Sequence, residues 1–350
     1  TLWSARTPAA SRIVPSPPAR TTSDEPLRSA AAAAARTAGG VLRRTTEALT
    51  ARGHRDVAVV EASTPPAVRA AAAAALRNGS SLVVLAGGDG TIRDAAGVLA
   101  DHRVTVGIVP SGTGNLYAVS VGVPRETDAA IAALRTGTPR SFDIGEVLLA
   151  PPAGQAAAPA RAARAAEADA AAVAAIQPAA VPTQFMVACG TGLDARLIEG
   201  TSADMKRRYG VAAYFFAAAG LLPHLRANPT ILTIDGVRTE LESVVVLVAN
   251  CGEAIPGRVR PRLPLDPADG LLHVFVLPRG GVVHGIRGVL ELMTTQATGT
   301  SSSGSAIRLA GSHVSVEVMP SQPVQVDGDP FPASSIDARI RPGVLSVIVP

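Results

Sequence analysis

Aromatic residues make up only 3% of the 350-residue chain, with a single Trp, so the chain lacks the stacking platforms that hold single-stranded nucleic acid. Cysteine is as scarce. Cys189 and Cys251 each sit in an apolar, strand-like run, which suits small core residues in a reducing compartment and excludes a disulfide framework. No stretch of eighteen residues is both apolar and free of charge. GVAAYFFAAAGLL, Gly210 to Leu222, is too short to span a bilayer and is stopped by Pro223. The opening TLWSARTPAASRIVPSPPARTTSDEP has no charged-then-apolar leader pattern. Neither sign of charge is concentrated: 32 Lys and Arg against 28 Asp and Glu leave +4, and the longest basic run is Lys206-Arg207-Arg208. That mild bias suits an anionic ligand or membrane face, and equally an ordinary solvated surface. The six histidines show no metal-ligand spacing.

What is present is a folded, Ala-rich chain, 47% hydrophobic, and long enough for two cores. SRIVPSPP (Ser11 to Pro18) reads as a short first strand, and residues 29–52 as a helix ended by Gly53. Strands are expected at Asp56 to Thr64, at SLVVLAG (Ser81 to Gly87) and at VTVGIVP (Val104 to Pro110). Helices are expected from Pro65 to Leu76 and from Thr91 to Ala100. This alternation predicts parallel βαβ units, in which ligands bind beyond the carboxyl ends of the strands. From about residue 141 the pattern changes to short strands with turn residues between them, predicting an antiparallel sheet structure. Met205 to Leu225 and Gly281 to Met293 read as helices within it. Ala150 to Pro182 is a low-complexity Ala/Pro insertion without chemistry, and Gly299 to Ser305 reads as a flexible loop.

GGDGT, Gly87 to Thr91, lies where a ligand would bind. Glycines let backbone N–H groups approach phosphate oxygens, and the following helix start adds its dipole. A carboxylate among them suits a cation that accompanies a nucleotide, or else a helix cap. No Gly-Lys-Ser/Thr follows, so the loop is not a P-loop. A second glycine turn, VPSGTGNLYA (Val109 to Ala118), ends the next parallel strand. Two such turns side by side point to a polyanion.

GGDGTIRDAAGVL followed by GIVPSGTGNLYA resembles the diacylglycerol kinase catalytic-domain family, which includes bacterial soluble lipid kinases and sphingosine kinases. The resemblance runs on through FDIGEV, ACGTGLDARL, MKRRYGVAAYFFAAAGLL, LPLDPADGLLHVFVL, VQVDGDPF and RPGVLSVIVP. It implies an α/β nucleotide-binding domain over residues 1–140 and a β-rich antiparallel lipid domain over 141–335, with residues 336–350 returning as a strand to the first. The implied reaction is transfer of the γ-phosphate of ATP, with Mg²⁺, to a lipid hydroxyl, most simply diacylglycerol to phosphatidic acid. A sphingoid base, another glycerolipid, or non-catalytic binding are the alternatives.

Carried over residue by residue, the resemblance assigns nucleotide contacts to Thr64, Gly87, Gly88, Asp89, Gly90, Thr91, Asp94, Gly112, Thr113, Gly114 and Asn115. It assigns catalytic carboxylates to Asp89, Asp327 and Asp329, with Asp329 in the place of the family's general base. Asp143 matches a carboxylate of the metal–water network, and Asp266, Asp269 and the Leu271 carbonyl match a second Mg²⁺ site. On sequence alone VDGDP reads as a hairpin turn and the Asp266 segment as a plain turn. The chain departs from the family at three places: Ser16-Pro17 is the nearest match to Asn-Pro, Arg93 and Asp94 stand for Asn and Glu, and Asp329 stands for Glu. The implied partner is a lipid alcohol at a membrane surface, reached by a cytoplasmic, peripherally bound enzyme, with no nucleic acid. A homodimer is compatible with the same reading. Tyr214, Phe215, Phe216, Leu221 and Leu222 are expected in an apolar wall or membrane contact, or in helix core.

Overall fold

The computed structural model describes residues 2–6, 40–54, 56–150, 182–192, 227–252, 265–280, 287, 299–300, 304–331, 333 and 335–350. The Ser11–Pro18 strand, the interior of the Ala/Pro insertion, the Met205–Leu225 helix, the Gly281–Met293 helix apart from residue 287, and the Tyr214–Leu222 wall lie outside them. The chain divides into two units: Thr1–Ser141 with Leu345–Pro350, and Phe142–Val344.

In the first unit the elements are β1 (Leu2–Arg6), α1 (residues 40–51), β2 (Asp56–Val60), α2 (Pro65–Arg77), β3 (Ser80–Gly87), α3 (Asp89–Leu99), β4 (Thr105–Pro110), α4 (Leu116–Ser120) and α5 (Thr127–Thr136). Pro65 and Pro66 open α2 behind Thr64, whose hydroxyl accepts the Ala67 N–H at 3.4 Å. The strand run Leu82-Val83-Val84-Leu85 is buried on both faces, as a parallel strand covered by helices on each side must be. Leu82 and Val84 pack with Ala48 and Leu49 of α1 and Ile131 and Leu134 of α5. Alternation turns Val83 and Leu85 to the other face, where α2 and α3 contact β3. Ala71, Ala72, Ala75, Ala95 and Ala96 are the buried positions that let those two helices approach each other.

β3 and β4 pair in parallel, with Leu82 opposite Thr105 through to Gly87 opposite Pro110. Their carboxyl ends, and therefore the two glycine loops, fall side by side. β1 is antiparallel to both β2 and β3, so β2, β3 and β4 all run one way and β1 alone is reversed. The place beside β3 is thus taken by Leu2–Arg6, a segment without turn signals to mark it in the sequence. α5 and the short α4 lie outside the elements expected from the sequence, although TDAAIAALRT carries the helical period.

The second unit continues through β5 (Thr138–Ala150), β6 (Thr183–Phe185), β7 (Ala188–Gly192), β8 (Asn228–Ile234), β9 (Val237–Ala249), β10 (Leu272–Pro278), β11 (Gly299–Thr300), β12 (Ile307–Gly311), β13 (His313–Val318), β14 (Val324–Val326), β15 (Asp329–Phe331) and β16 (Ser335–Val349). The first four residues of β5 and the last five of β16 belong to the first unit, where Ser346 and Val347 pair in parallel with Thr105 and Val106 of β4. Within the second unit neighbours pair antiparallel: β12–β10–β9–β8–β13–β16, with β7 and β14 extending from β9. Val246, Val248, Leu272, Val274 and Val276 face Leu232, Val314, Val316, Ile336 and Ala338 in one core, a β-sandwich.

Two hairpins turn on Asp-Gly with both residues at positive φ: Asp235-Gly236 between β8 and β9, and Asp327-Gly328 between β14 and β15. Asp235 also accepts the N–H groups of Ser312 and His313 and the Ser312 hydroxyl, tying the β8–β9 turn to the start of β13. The Ser312 hydroxyl first, then the His313 N–H, hold its carboxyl below the usual aspartate range. A depressed folded-state value means these bonds stabilise the fold above the unfolded pKa and are lost as pH falls through the lower folded one. Asp235→Asn is therefore expected to lower Tm at pH 6 and to leave it unchanged once the pH is below the folded value. Melting curves from pH 6 to pH 2.5 check this; a difference independent of pH would show that the charge plays no part.

Candidate functional site

β3 ends at Gly87 and α3 begins at Asp89, with Gly88 as its N-cap. Gly88 has no side chain to satisfy the first N–H groups of this eleven-residue helix, so they and the helix dipole present an anion-attracting end. The Thr91 side chain folds back over Gly87: a Cβ there would lie 2.5 Å from the Thr91 Cβ. The second loop meets the first backbone to backbone. A Cβ on Gly112 would lie 2.5 Å from the Gly88 Cα, and the Ser111 N–H donates to the Gly87 carbonyl at 3.0 Å. Asn115, in the left-handed region at φ 51°, closes this loop on itself. Its Oδ1 accepts the Gly112 N–H at 2.9 Å and its Nδ2 donates to the Gly112 carbonyl at 2.8 Å.

A carboxylate in the first turn of α3 would repel a phosphate if it faced the loop. Asp89 does not spend its charge there. Its Oδ2 accepts the Leu116 N–H at 3.1 Å and its Oδ1 the Tyr117 N–H at 2.9 Å, so it caps the start of α4 rather than its own helix. Asp89 thereby staples the two glycine loops together. A Cβ on Gly114 would come within 3.1 Å of its Oδ2. Gly90 and Thr113 are exposed on these loops. Asp94 sits one turn along α3 and pairs with Arg69 of α2 at 2.7 Å, an interhelix tie. Thr64 is exposed at the start of α2.

The remaining expected residues lie in the second unit. Asp327, at φ 48° in the β14–β15 turn, points its carboxylate inward: Oδ2 accepts the Met186 N–H at 2.8 Å, and Oδ1 the Val187 and Ala188 N–H groups at 2.9 and 3.1 Å. These three donors are withdrawn from strand pairing. TQFMVACG, which reads as one strand, is accordingly broken at Met186-Val187 between β6 and β7. With Asp327 as the anchor, Asp329 opens β15 opposite Val326 and is exposed. The structure thus gives the two aspartates of VDGDP different placements, one folded into backbone and one presented to solvent.

Asp143 is 2% exposed on β5. Its Oδ2 accepts the Gly270 N–H at 2.7 Å, its Oδ1 the Gly343 N–H at 2.8 Å, and its own N–H donates to Pro267 at 2.7 Å. The structure therefore brings Asp143 against the same loop that carries Asp266, Asp269 and Leu271. In that loop Asp266 Oδ1 accepts the Ala268 N–H and Asp269 Oδ1 the Leu271 N–H, two side chain-to-backbone turns in succession. Among the described residues no three His, Cys, Asp or Glu gather as a metal cluster. The residues of this loop that could hold a hard divalent cation are Asp266 and Asp269 with the Leu271 carbonyl, and both Asp269 oxygens already have partners, the Leu271 N–H and His273 Nε2. Asp143, with both oxygens on backbone N–H groups, orients the loop from behind.

Three residues near this loop carried no signal in the sequence. His273 Nε2 lies 2.9 Å from Asp269 Oδ2. Arg308 is buried with its guanidinium 5.5 Å from the Phe275 ring centroid; burial pulls its pKa below the usual arginine value, and the charge of Asp269 works the other way. Asn250 is fully buried at the end of β9, where LVANC reads as the close of a strand.

Residues 31–147 match the family of the diacylglycerol kinase catalytic domain, and residues 187–349 match the YegS C-terminal NAD kinase beta sandwich-like domain. An uncharacterized protein of Synechocystis sp. is 22% identical over 77% of this chain; the match spans 54% of that protein, about half its length. Proteins named "Probable lipid kinase YegS-like" from Pseudomonas putida and Pseudomonas aeruginosa are 26% and 27% identical, over 77% of this chain and 77% and 76% of theirs. A solved diacylglycerol kinase from Bacillus anthracis superposes with a TM-score of 0.62 at 17% identity, covering 89% of this chain and 91% of its own. A second solved chain from that organism gives 0.67 at 19%, covering 89% and 92%.

Proposed function

The chain belongs to the diacylglycerol kinase catalytic-domain family, and from that premise we propose that it transfers the γ-phosphate of ATP to the hydroxyl of a membrane lipid, with diacylglycerol as acceptor. The observation that carries this reading is the direct approach of the Gly87–Thr91 and Gly112–Asn115 loops at the open start of α3, with the Asp89 charge drawn away into α4. That arrangement suits an elongated polyanion, because N–H groups and helix dipole remain for the phosphates while the nearest carboxylate is turned onto the Leu116 and Tyr117 N–H groups.

In this reaction the lipid oxygen forms the new P–O bond to the γ-phosphorus, the bond to the β-phosphate oxygen breaks, and ADP leaves. Asp329, exposed at the start of β15, takes the hydroxyl proton. The glycine loops hold the triphosphate in line, which is most of what phosphoryl transfer asks of a protein. A bound Mg²⁺ would supply charge neutralisation on the phosphate oxygens. Asp266, Asp269 and Leu271 would hold a second cation whose role is to fix their loop. Among the described residues no helix is long and apolar enough to cross a membrane; in this reading the lipid is taken from a bilayer surface.

The test is transfer of labelled γ-phosphate in mixed micelles with Mg²⁺, across diacylglycerol, a monoacylglycerol, phosphatidylglycerol, a sphingoid base and, as a water-soluble acceptor, NAD. Label in diacylglycerol is the expected result. Label in another lipid alone keeps the kinase and replaces the acceptor. Label in NAD alone, or in none while ATP still binds, overturns the lipid-kinase reading.

A further inference from the structure

We infer that Asn250 is a positioning residue that locks the hairpin bearing Asp329 and the Asp266–Leu271 loop into one arrangement; the catalytic half of its test rests on the kinase reading above, the structural half does not. Its side chain bonds directly to both of two runs of hydrogen bonds, beside the β14–β7–β9–β10 ladder that also links them. Nδ2 donates both its protons, one to the Met186 carbonyl at 3.0 Å and one to the Asp143 carbonyl at 3.1 Å. From Met186 the run continues through its N–H to Asp327, and so to the β14–β15 turn that presents Asp329. From Asp143 it continues through Pro267 and Gly270 to the Asp266–Leu271 loop, and through Gly343 to β16.

The geometry of the amide leaves no second way to make this joint. Turning the side chain over would set Oδ1 against two carbonyl oxygens, so the observed orientation is fixed by its acceptors. In that orientation Oδ1 is buried and has no hydrogen-bond partner among the described residues. A buried acceptor left without a donor is a cost that native interiors rarely carry, and it fits a residue retained for its two donors. The backbone of the same residue reinforces the joint: its N–H donates to Val187 at 2.9 Å, and the Cys251 thiol donates to Met186 at 3.2 Å. The three amides of residues 186–188 that grip Asp327 are therefore held from behind by residues 250 and 251, and the Asn250 side chain also reaches across to Asp143.

Asn250→Asp keeps the shape and Oδ1 but sets an oxygen against both carbonyls, so it breaks the joint specifically. Hydrogen exchange on the full chain is expected to show at least tenfold faster exchange in both the 324–331 hairpin and the 265–271 loop, with 82–87 and 105–110 of the first unit unchanged. Acceleration in only one of the two segments, or in neither, overturns the proposal. Asn250→Ser, which keeps one donor, covers the case in which Asn250→Asp does not fold, and is expected to accelerate exchange in both segments by a smaller factor. In the transfer assay, well below Tm, the variant that folds is expected to lose at least tenfold in kcat with KM for ATP within twofold. Ser243→Ala, which removes the buried 2.7 Å contact with Thr230 elsewhere in the same unit, serves as the control for general destabilisation and is expected to keep kcat within twofold. Equal kcat losses in both would reduce Asn250 to ordinary packing. Wild-type protein that transfers no phosphate would sink the kinase reading and leave the exchange result to decide Asn250.

Discussion

Asp329→Asn is expected to lower kcat by about a hundredfold to ten-thousandfold, the range that removal of a positioned general base produces, while Tm stays within a degree or so. The separation of the two effects follows from the placement of the residue. Asp329 is exposed at the first position of β15, so changing its carboxylate to an amide of the same shape leaves the buried positions of the hairpin as they are. The hairpin is held by Asp327, whose three accepted N–H groups are untouched. KM for ATP should also hold, since the glycine loops are in the other unit. Asp329→Glu extends the reach by about one methylene toward the length the family usually carries. It is expected to raise kcat, because an offset of about 1 Å in a reacting group can cost about a hundredfold. Stopped-flow or steady-state transfer to diacylglycerol, run beside thermal melts, reads both variants. An Asp329→Asn protein with undiminished kcat would remove Asp329 from the chemistry and return VDGDP to the plain hairpin turn that its sequence suggests.

The parts of this fold that are legible in the sequence are those in which a local rule and the global structure agree. β3 and β4 announce themselves as apolar runs closed by glycine or proline, and the two glycine loops follow because nothing else stands between those strands and the next helix. Pro65-Pro66 after Thr64 marks the start of α2 for the same local reason. The β14–β15 hairpin is legible from Asp-Gly alone. What stays hidden is contact between distant segments. Asp89 was readable as a cap or a phosphate-site carboxylate, but its partners Leu116 and Tyr117 begin a five-residue helix too short to show a period. Asp143 is held by Gly270 and Gly343, respectively 127 and 200 residues away. Asn250 has no local pattern at all; its importance appears only when Met186 and Asp143 are seen on either side of it. The resemblance to a kinase family supplied carboxylate positions that spacing could not. Geometry then separated the anchors, Asp327 and Asp143, from the exposed carboxylate of Asp329. Glycines and turns are written locally, whereas a carboxylate's duty is set by which amides the fold delivers to it.

The second large effect belongs to the place where the loops touch. Gly112→Ala is expected to weaken ATP binding at least tenfold and to cut kcat/KM by about a hundredfold, with a loss of about 1–3 kcal/mol in stability from overpacking. The new Cβ would lie 2.5 Å from the Gly88 Cα, closer than real Cβ contacts come, with Asn115 Oδ1 at 3.0 Å and the Gly88 nitrogen at 3.3 Å beside it. Flexible side chains can swing away from such a contact, but here the obstacle is main chain. Gly88 is fixed on one side by β3, paired to β4 from Leu82 to Gly87, and on the other by the first turn of α3. The second loop must therefore give way. Its movement strains the Ser111–Gly87 bond, the Asn115–Gly112 pair and the Asp89 staple to Leu116 and Tyr117 together. Gly90→Ala is the matched comparison. It lies in the first turn of the same helix, its Cβ would meet nothing within 4 Å, and alanine there should leave Tm unchanged or raise it. Calorimetric titration with ATP alongside thermal melts distinguishes the two substitutions. If Gly112→Ala kept both its melting point and its ATP affinity, the contact between the loops would be incidental and the cradle would have to be sought elsewhere. If it lost both while Gly90→Ala stayed stable, the close backbone approach would be what holds the phosphate site in shape.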